Sequence, residues 1–149
     1  MLLGAKNISP DFIYNGIILK HSTSEKLLGV IIDNKLEFKE HISEMCKEAN
    51  QKLNALNRES TYMSLDQIKL ITNAYVKSFF NYCPLIWMFC NRKEMNKFNK
   101  IHKRCLRLTL KNFYDDFSTL LLISGDISIH QKCINFLMIE IYKFLNGFS

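Results

Sequence analysis

The sequence is poor in residues that interrupt secondary structure, with only two prolines and five glycines among its 149 residues. It also has no low-complexity tract and no internal repeat, so long flexible linkers and repeat architectures are not expected. Hydrophobic residues make up 48% of the chain and charged residues 23%, a balance that excludes disorder throughout and supplies a buried core. The length predicts one domain, or a small domain with an appendage.

Paired cysteines and long apolar runs are also missing. The five cysteines are odd in number, none lies in a Cys-x-x-Cys spacing, and the first residues do not resemble a secretory signal. We therefore expect a reducing, intracellular compartment. The most apolar stretch lies between Lys77 and Arg92 and is too short for the ~20 apolar residues that a spanning helix needs, so no membrane span is predicted.

The first 33 residues have the pattern of short strands. Apolar residues 12–14 and 17–19 flank Asn15-Gly16, a pair that favours a two-residue hairpin turn. Residues 27–32 predict a further apolar strand. From residue 34 onward the apolar residues recur every three to four positions, which indicates helices. We predict an α+β fold that is mostly α: a short N-terminal antiparallel β meander over residues 1–33, then a helical bundle over residues 34–149.

Capping residues followed three positions later by Glu or Gln mark the predicted helix starts. The pairs are Asn34 with Glu37, Ser64 with Gln67, Asn91 with Glu94, and Ser128 with Gln131. The last of these helices should stop at Gly147 and bury a set of apolar side chains. This set consists of Ile134, Leu137, Met138, Ile141 and Leu145.

Residues 92–111 concentrate the positive charge of the chain. They hold eight Lys or Arg residues and one acid, a net charge of +7, whereas the other twelve bases and thirteen acids sum to −1. The eight bases are Arg92, Lys93, Lys97, Lys100, Lys103, Arg104, Arg107 and Lys111. On a helix they fall within an arc of roughly 140°, and the apolar residues of the segment lie opposite. These are Met95, Phe98, Ile101, Cys105 and Leu108.

A helix face of nearly uniform sign costs helix stability, because like charges on neighbouring turns repel unless an anion neutralises them. The pattern favours binding of a polyanion, such as a nucleic acid, by the eight bases, with a solvated face that serves only solubility as the alternative. His102 lies beside this face, where it could reach a phosphate or equally be a boundary residue. The aromatic residues ahead of the basic segment are expected to form core rather than to stack on bases. They are Phe79, Phe80, Tyr82 and Trp87.

Several segments resemble, in order, one known family. Residues 80–88 read FNYCPLIWM, and they are followed by Arg92-Lys93 and by HKRCLR at residues 102–107. Together these segments resemble the region after the palm in jockey-like non-LTR retrotransposon reverse transcriptases. Residues 26–36, KLLGVIIDNKL, look like the Leu-Gly strand of the same family, which is associated with gripping the primer. Residues 128–130 (SIH), 140–143 (EIYK) and 146–147 (NG) extend the resemblance over nearly the whole chain.

The resemblance implies that residues 1–33 are the end of a reverse-transcriptase palm, with a primer-grip strand at Leu28 and Gly29, and that residues 34–149 are the thumb and following helices. In an RNA-directed DNA polymerase this part would hold the RNA or DNA template-primer duplex through its backbone, while Mg²⁺ acts in the palm. No position of this chain matches the palm carboxylates. The chain alone is therefore expected to bind nucleic acid without catalysis, cofactor or small-molecule substrate.

Two alternatives to this function stay open: a helical protein-interaction module whose basic face meets an acidic partner, and the product of a decayed element with no activity. Residues 113–116 (FYDD) have the aromatic-x-Asp-Asp form with which reverse transcriptases hold two metal ions, but they follow a helix and lack flanking strand pattern. We expect Asp115 and Asp116 to be loop acids. Four residues could be drawn as a zinc site, but their spacings match no zinc template, so buried thiols and no metal site are predicted. They are Cys83, Cys90, His102 and Cys105.

Overall fold

The computed structural model describes residues 12–19 and 22–147 and shows an α+β fold that is mostly helical, as predicted. Two small antiparallel hairpins precede a helical bundle. The strands are β1 (Ile13–Tyr14), β2 (Ile17–Ile18), β3 (Ser24–Leu27) and β4 (Val30–Asp33). The helices are α1 (Lys39–Glu59), α2 (Leu65–Ile71), α3 (Ser78–Asn81), α4 (Pro84–Trp87), α5 (Arg92–Leu110), α6 (Phe117–Ser124) and α7 (Ile129–Leu145). A 3-10 turn (Ser60–Tyr62) follows α1, and a π-helical segment (Thr72–Lys77) joins α2 to α3.

The first predicted hairpin is confirmed. Strand β1 pairs with β2 so that Ile13 faces Ile18. Asn15 and Gly16 form the turn with φ of 49° and 77°, and positive φ at both positions is what a tight two-residue hairpin turn requires. Residues 1–11, 20 and 21 of the predicted meander lie outside the described residues.

The predicted single strand over residues 27–32 is wrong. Strands β3 and β4 form a second hairpin instead, with Leu27 paired to Val30 across a turn at Leu28 and Gly29. Leu28 has a φ of 48° and Gly29 a φ of 84°. The glycine supplies the left-handed backbone that this turn needs. The sequence predicts one strand over residues 27–32 because apolar residues stand on both sides of the glycine. Among the described residues the two hairpins belong to separate sheets.

Helix α1 begins differently from the prediction. The carboxylate of Asp33 accepts the backbone N–H groups of Lys35, Glu37 and Phe38 at 3.0, 3.1 and 2.7 Å, and the helix starts only at Lys39. Partial burial acts to raise the pKa of Asp33, but these hydrogen bonds outweigh it and the pKa lies below its usual value. The capping box predicted for Asn34 and Glu37 is therefore replaced by an Asp33-centred turn.

The other predicted helix starts are found where the sequence places them. Ser64 and Gln67 form a complete capping box at α2. Asn91 and Ser128 accept the backbone N–H groups three positions later, at α5 and α7. Since capping depends on residues within one turn, its sequence signal is local.

The core lies between α1, the α2-to-α4 region and α5. Trp87 and Phe98 have no exposed surface, and their ring centroids lie 4.5 Å apart. Phe80 meets Phe98 edge to face at 5.4 Å. Burial of Trp87 and Phe80 confirms the expected aromatic core, whereas Tyr82 remains 49% exposed.

Helix α7 buries much less than predicted. Ile129 and Cys133 are buried where α7 packs on α4 and α5, and Leu137 is partly buried. The other four residues expected in the core, Ile134, Met138, Ile141 and Leu145, are 40%, 61%, 45% and 74% exposed. The helical period identified an apolar stripe, but no described part of the chain covers it. Across the described residues, no helix combines the length and apolarity needed to cross a membrane.

Candidate nucleic-acid interface

The predicted basic helix exists and is α5. Its Asn91 cap accepts the N–H of Glu94 at 3.0 Å, and the helix ends at Leu110, followed by Lys111 as the C-terminal cap with a φ of 48°. Of the five predicted apolar positions, four are buried and Met95 is partly buried against the core. The buried four are Phe98, Ile101, Cys105 and Leu108. Burial of this face fixes which way the basic side chains point.

Five of the eight predicted bases line one groove along the first three turns of α5. These are Arg92, Lys93, Lys97, Lys100 and Lys103, and Asn96, Asn99 and Phe117 complete the lining. The groove has a volume of about 730 Å³. We call it the basic groove. Four of its five cations, all except Lys97, make no ion pair with any described residue.

Lys97 is the exception because its Nζ lies 2.6 Å from Oε2 of Glu94, whose side chain is only 6% exposed. This contact places the one acid of the segment inside the fold, against a cation of its own helix. The charge of Lys97 is thereby largely balanced, so it offers less to a ligand than its neighbours do.

Arg104 and Arg107, two of the eight predicted bases, do not line the basic groove. The guanidinium of Arg104 donates to Oδ1 of Asn50 and, at 2.7 Å, to Oδ1 of Asn54, both on α1. Arg107 is partly buried in a separate cavity of about 200 Å³ beside Leu53, and its Nε has no hydrogen-bond partner in the described chain. Arg104 therefore links α5 to α1. Lys111 is exposed at the far end of the helix and lines no part of the groove.

His102 does not reach the surface. It is 1% exposed, and its Nε2 lies 3.0 Å from Oδ2 of Asp126. Burial lowers the pKa of His102, and Asp126 raises it by less than burial lowers it, so the ring is neutral at pH 7. The possibility that His102 contacts a phosphate is therefore excluded by its burial.

Asp126 holds a cluster that the sequence analysis missed. Besides His102, its carboxylate lies 2.6 Å from Nζ of Lys77 and 2.8 Å from Nζ of Lys132. Burial acts to raise the pKa of Asp126, but hydrogen bonds from these three partners outweigh it and keep the pKa well below its usual range. The cluster ties the π-helical segment, α5 and α7 to one loop. Lys77 and Lys132 are 55 residues apart in sequence, so no local sequence pattern predicts this cluster.

The Leu28-Gly29 turn rests on Tyr82. The Tyr82 hydroxyl donates to the carbonyl oxygen of Leu28, and a Cβ at Gly29 would lie 3.6 Å from the same hydroxyl. Trp87 Nε1 in turn donates to the carbonyl oxygen of Tyr82 at 3.2 Å. The two segments that carry most of the resemblance are therefore in direct contact. Neither Leu28 nor Gly29 lines the basic groove.

The Asp-Asp pair lies in the loop between α5 and α6. Asp116 caps α6 by accepting the N–H of Thr119 at 2.9 Å and the hydroxyl of Ser118 at 2.7 Å. These bonds lower the pKa of Asp116 to about 2. Asp115 accepts from Asn112 Nδ2 at 2.7 Å. The predicted loop position is confirmed, and the structure adds a capping role for Asp116.

All five cysteines are free thiols, and burial raises the pKa of Cys105 to about 12 and those of Cys46 and Cys133 to about 11. Cys83, Cys90, His102 and Cys105 do not converge, and the described part of the chain contains no group of three or more His, Cys, Asp or Glu residues arranged to hold a metal.

Comparison of the chain with protein-family models, with curated proteins and with solved structures finds no match.

Proposed function

We propose that this chain is a non-catalytic, nucleic-acid-binding C-terminal part of a non-LTR retrotransposon RNA-directed DNA polymerase, and that it binds the template-primer backbone through the basic groove. The observation that carries the proposal is the presence of four cations with no ion pair among the described residues in one groove. They are Arg92, Lys93, Lys100 and Lys103. Their side chains stand on a helix whose opposite face is buried, so the charge is held in a fixed direction.

The dimensions of the groove suit a nucleic-acid strand. From Arg92 to Lys103 the helix rises by about 16 Å, which is the axial length of roughly five phosphates of one strand. With Lys97 balanced by Glu94, about four phosphates should be neutralised at once. The log-log dependence of affinity on salt should then have a slope of about −3.6, which corresponds to a roughly 150-fold loss of affinity between 50 and 200 mM salt.

The test is a triple variant, Lys93→Ala, Lys100→Ala and Lys103→Ala, assayed by fluorescence anisotropy with a labelled RNA-DNA duplex at several salt concentrations. All three side chains lie outside the buried core, so the melting temperature should change little. Loss of three phosphate contacts should lower the slope by about 2 to 3, with little dependence on base sequence.

The matched control carries the same change in charge at three exposed lysines away from the groove: Lys35→Ala, Lys47→Ala and Lys69→Ala. Its slope should change by less than 1. Equal losses from both triples would show that only net charge matters and would refute the proposed site. Heparin that competes as well as a duplex at equal charge would favour the alternative, an acidic protein partner for the same face.

We also propose that the chain alone does not extend a primer and uses no cofactor of its own. The support is the placement of Asp115 and Asp116 in a loop, with Asp116 engaged in capping α6 rather than on a strand hairpin beside a third carboxylate. With primer-template, deoxynucleotides and Mg²⁺ or Mn²⁺, no extension product is expected on a sequencing gel. Extension that disappears in an Asp115→Asn, Asp116→Asn variant would contradict this. An intracellular location is part of the proposal and is supported by the free cysteines.

A further inference from the structure

The basic groove contains more than phosphate-binding cations. Phe117, the first residue of α6, is the one aromatic side chain in its lining, and it is partly buried. Its ring meets His102 edge to face, with centroids 5.5 Å apart and an interplanar angle of 76°. His102 is itself held by Asp126. The ring of Phe117 is thus positioned by α5 and α6 together, and the edge-to-face contact occupies no more than one of its two faces.

Asn99 lies in the same groove with an unused acceptor. Its Oδ1 is buried and has no hydrogen-bond partner among the described residues. A carboxamide carries both an acceptor and two donors, which is the combination that reads the edge of a nucleobase. Oδ1 is shielded from solvent as it stands, so pairing with a ligand in the groove requires the carboxamide to rotate, and leaving Oδ1 unpaired costs free energy until then.

The charges in the groove are unevenly placed. The cations project from α5, whereas the α6 side carries Phe117, and the exposed residue Asp116 precedes it in the chain outside the groove lining. A phosphate is attracted to the α5 side and repelled from the α6 side. This asymmetry favours an orientation in which the phosphate of a nucleotide lies on Lys93 and Lys100 and its base lies toward Phe117.

We propose that the basic groove binds an unpaired nucleotide of a single-stranded segment, with its base stacked on Phe117 and the edge of the base hydrogen-bonded to Asn99. This inference rests on the proposed function. Bases inside a duplex are already stacked on both faces, so an aromatic ring in the groove adds affinity only for an unpaired base. A volume of about 730 Å³ lies within the range of small-molecule pockets and accommodates one nucleotide.

The experiment compares wild type with Phe117→Ala and Phe117→Leu, using a 12-nucleotide single-stranded RNA that carries 2-aminopurine and the blunt duplex of the same sequence as probes. Stacking on an aromatic ring is lost in both variants, and Phe117→Leu keeps most of the apolar volume against His102. Both variants should bind the single strand about tenfold more weakly and should lose the change in 2-aminopurine fluorescence. Duplex affinity should stay within twofold of wild type, and the salt slope should not change.

Tyr114→Ala is the matched control, because Tyr114 is 97% exposed, lies three residues from Phe117 and does not line the groove. It should bind both probes as wild type does. An Asn99→Ala variant should keep the fluorescence change with the 2-aminopurine probe. With four unlabelled RNAs that differ only at that position, it should lose any preference among the four bases.

Loss of single-strand affinity in Phe117→Ala with wild-type affinity in Phe117→Leu would overturn the proposal, because packing rather than stacking would then explain the effect. Equal weakening of duplex and single strand, or no weakening of either, would overturn it as well. Failure of the proposed function would give a different result. The variant with Ala at Lys93, Lys100 and Lys103 would then bind both probes as tightly as its control variant, whatever the affinities of the Phe117 variants.

Discussion

Replacing Asp126 by Asn should destabilise the whole helical bundle, because Asp126 is the one anion shared by Lys77, His102 and Lys132. The three partners belong to the π-helical segment, α5 and α7, so the change removes the ion pairs with Lys77 and Lys132 and weakens the hydrogen bond with the neutral ring of His102. Asn keeps the shape of the side chain and one acceptor oxygen. Its carboxamide has no charge to balance the two lysines.

The magnitude follows from how far the partners are buried. The side chain of Asp126 is 15% exposed, that of Lys77 18% and that of Lys132 28%. Removing one partner of a fully buried pair costs about 3 to 5 kcal/mol, and partial exposure to solvent reduces this to about 2 to 3 kcal/mol here. For a chain of this size the melting temperature should fall by about 5–10 °C.

The pH dependence has a defined sign. The pKa of Asp126 is lower in the folded state than in the unfolded state, so its stabilisation is complete above the unfolded value of about 3.9 and declines as the pH falls below it. The pKa of His102 is also lowered, so its contribution is complete above about pH 6.5 and declines below that. Without Asp126 to raise it, the His102 pKa falls further.

Urea unfolding of wild type and Asp126→Asn, followed by circular dichroism between pH 7 and pH 3, measures these effects. The gap between the two free energies should widen somewhat from pH 7 to pH 5 and narrow below pH 4. Asp66→Asn is the control, since Asp66 is exposed in the first turn of α2 and its loss should cost less than about 1 kcal/mol. A gap for Asp126→Asn no larger than that of the control, or one that does not change with pH, would refute the assigned role.

Two further substitutions test the contacts between the hairpin, Tyr82 and the aromatic core. Tyr82→Phe removes the hydrogen bond to the carbonyl oxygen of Leu28 and should cost about 1 kcal/mol in urea unfolding, with faster amide exchange across β3 and β4; unchanged exchange would contradict the contact. Trp87→Ala removes a fully buried ring packed on Phe98 and should cost about 3 to 5 kcal/mol, and a loss below 1 kcal/mol would mean that the ring is not in the core.

Local features of the fold were predictable because the interactions that cause them span only a few residues. Asn15-Gly16 forms its hairpin turn, and Ser64 forms its capping box with Gln67. Where two neighbouring residues offer the same chemistry, the sequence did not discriminate between them. Asp33 and Asn34 both carry an acceptor oxygen before α1, and the backbone turn gives that role to Asp33.

The candidate site was predictable only in part, for a different reason. The helical period predicts the direction in which each side chain of α5 points. It does not predict which other parts of the chain lie in that direction. Arg104 donates there to Asn50 and Asn54, which lie 54 and 50 residues earlier in the chain, and it does not line the groove. For α7 the helical period places the apolar residues on one face, as predicted. That face is largely exposed, because no described neighbour covers it. Phe117 was not singled out because it reaches the groove from another helix.

The distribution of charge along α5 argues that the cations of the basic groove are not there for the stability of the helix. Toward the C-terminal half the cations are better accommodated, because Arg104 donates hydrogen bonds to amide oxygens on α1 and Lys111 stands where the helix dipole favours a cation. Arg92 and Lys93 occupy the first turn, where the dipole disfavours positive charge by about 0.3 to 1 kcal/mol for each residue, and no described acid pairs with them. A bound phosphate reverses both costs, since it neutralises the repulsion and is itself attracted to a helix N-terminus. The same placement that weakens the isolated helix therefore strengthens its complex with an anion, which is the physical reason to look for the ligand at this end of α5.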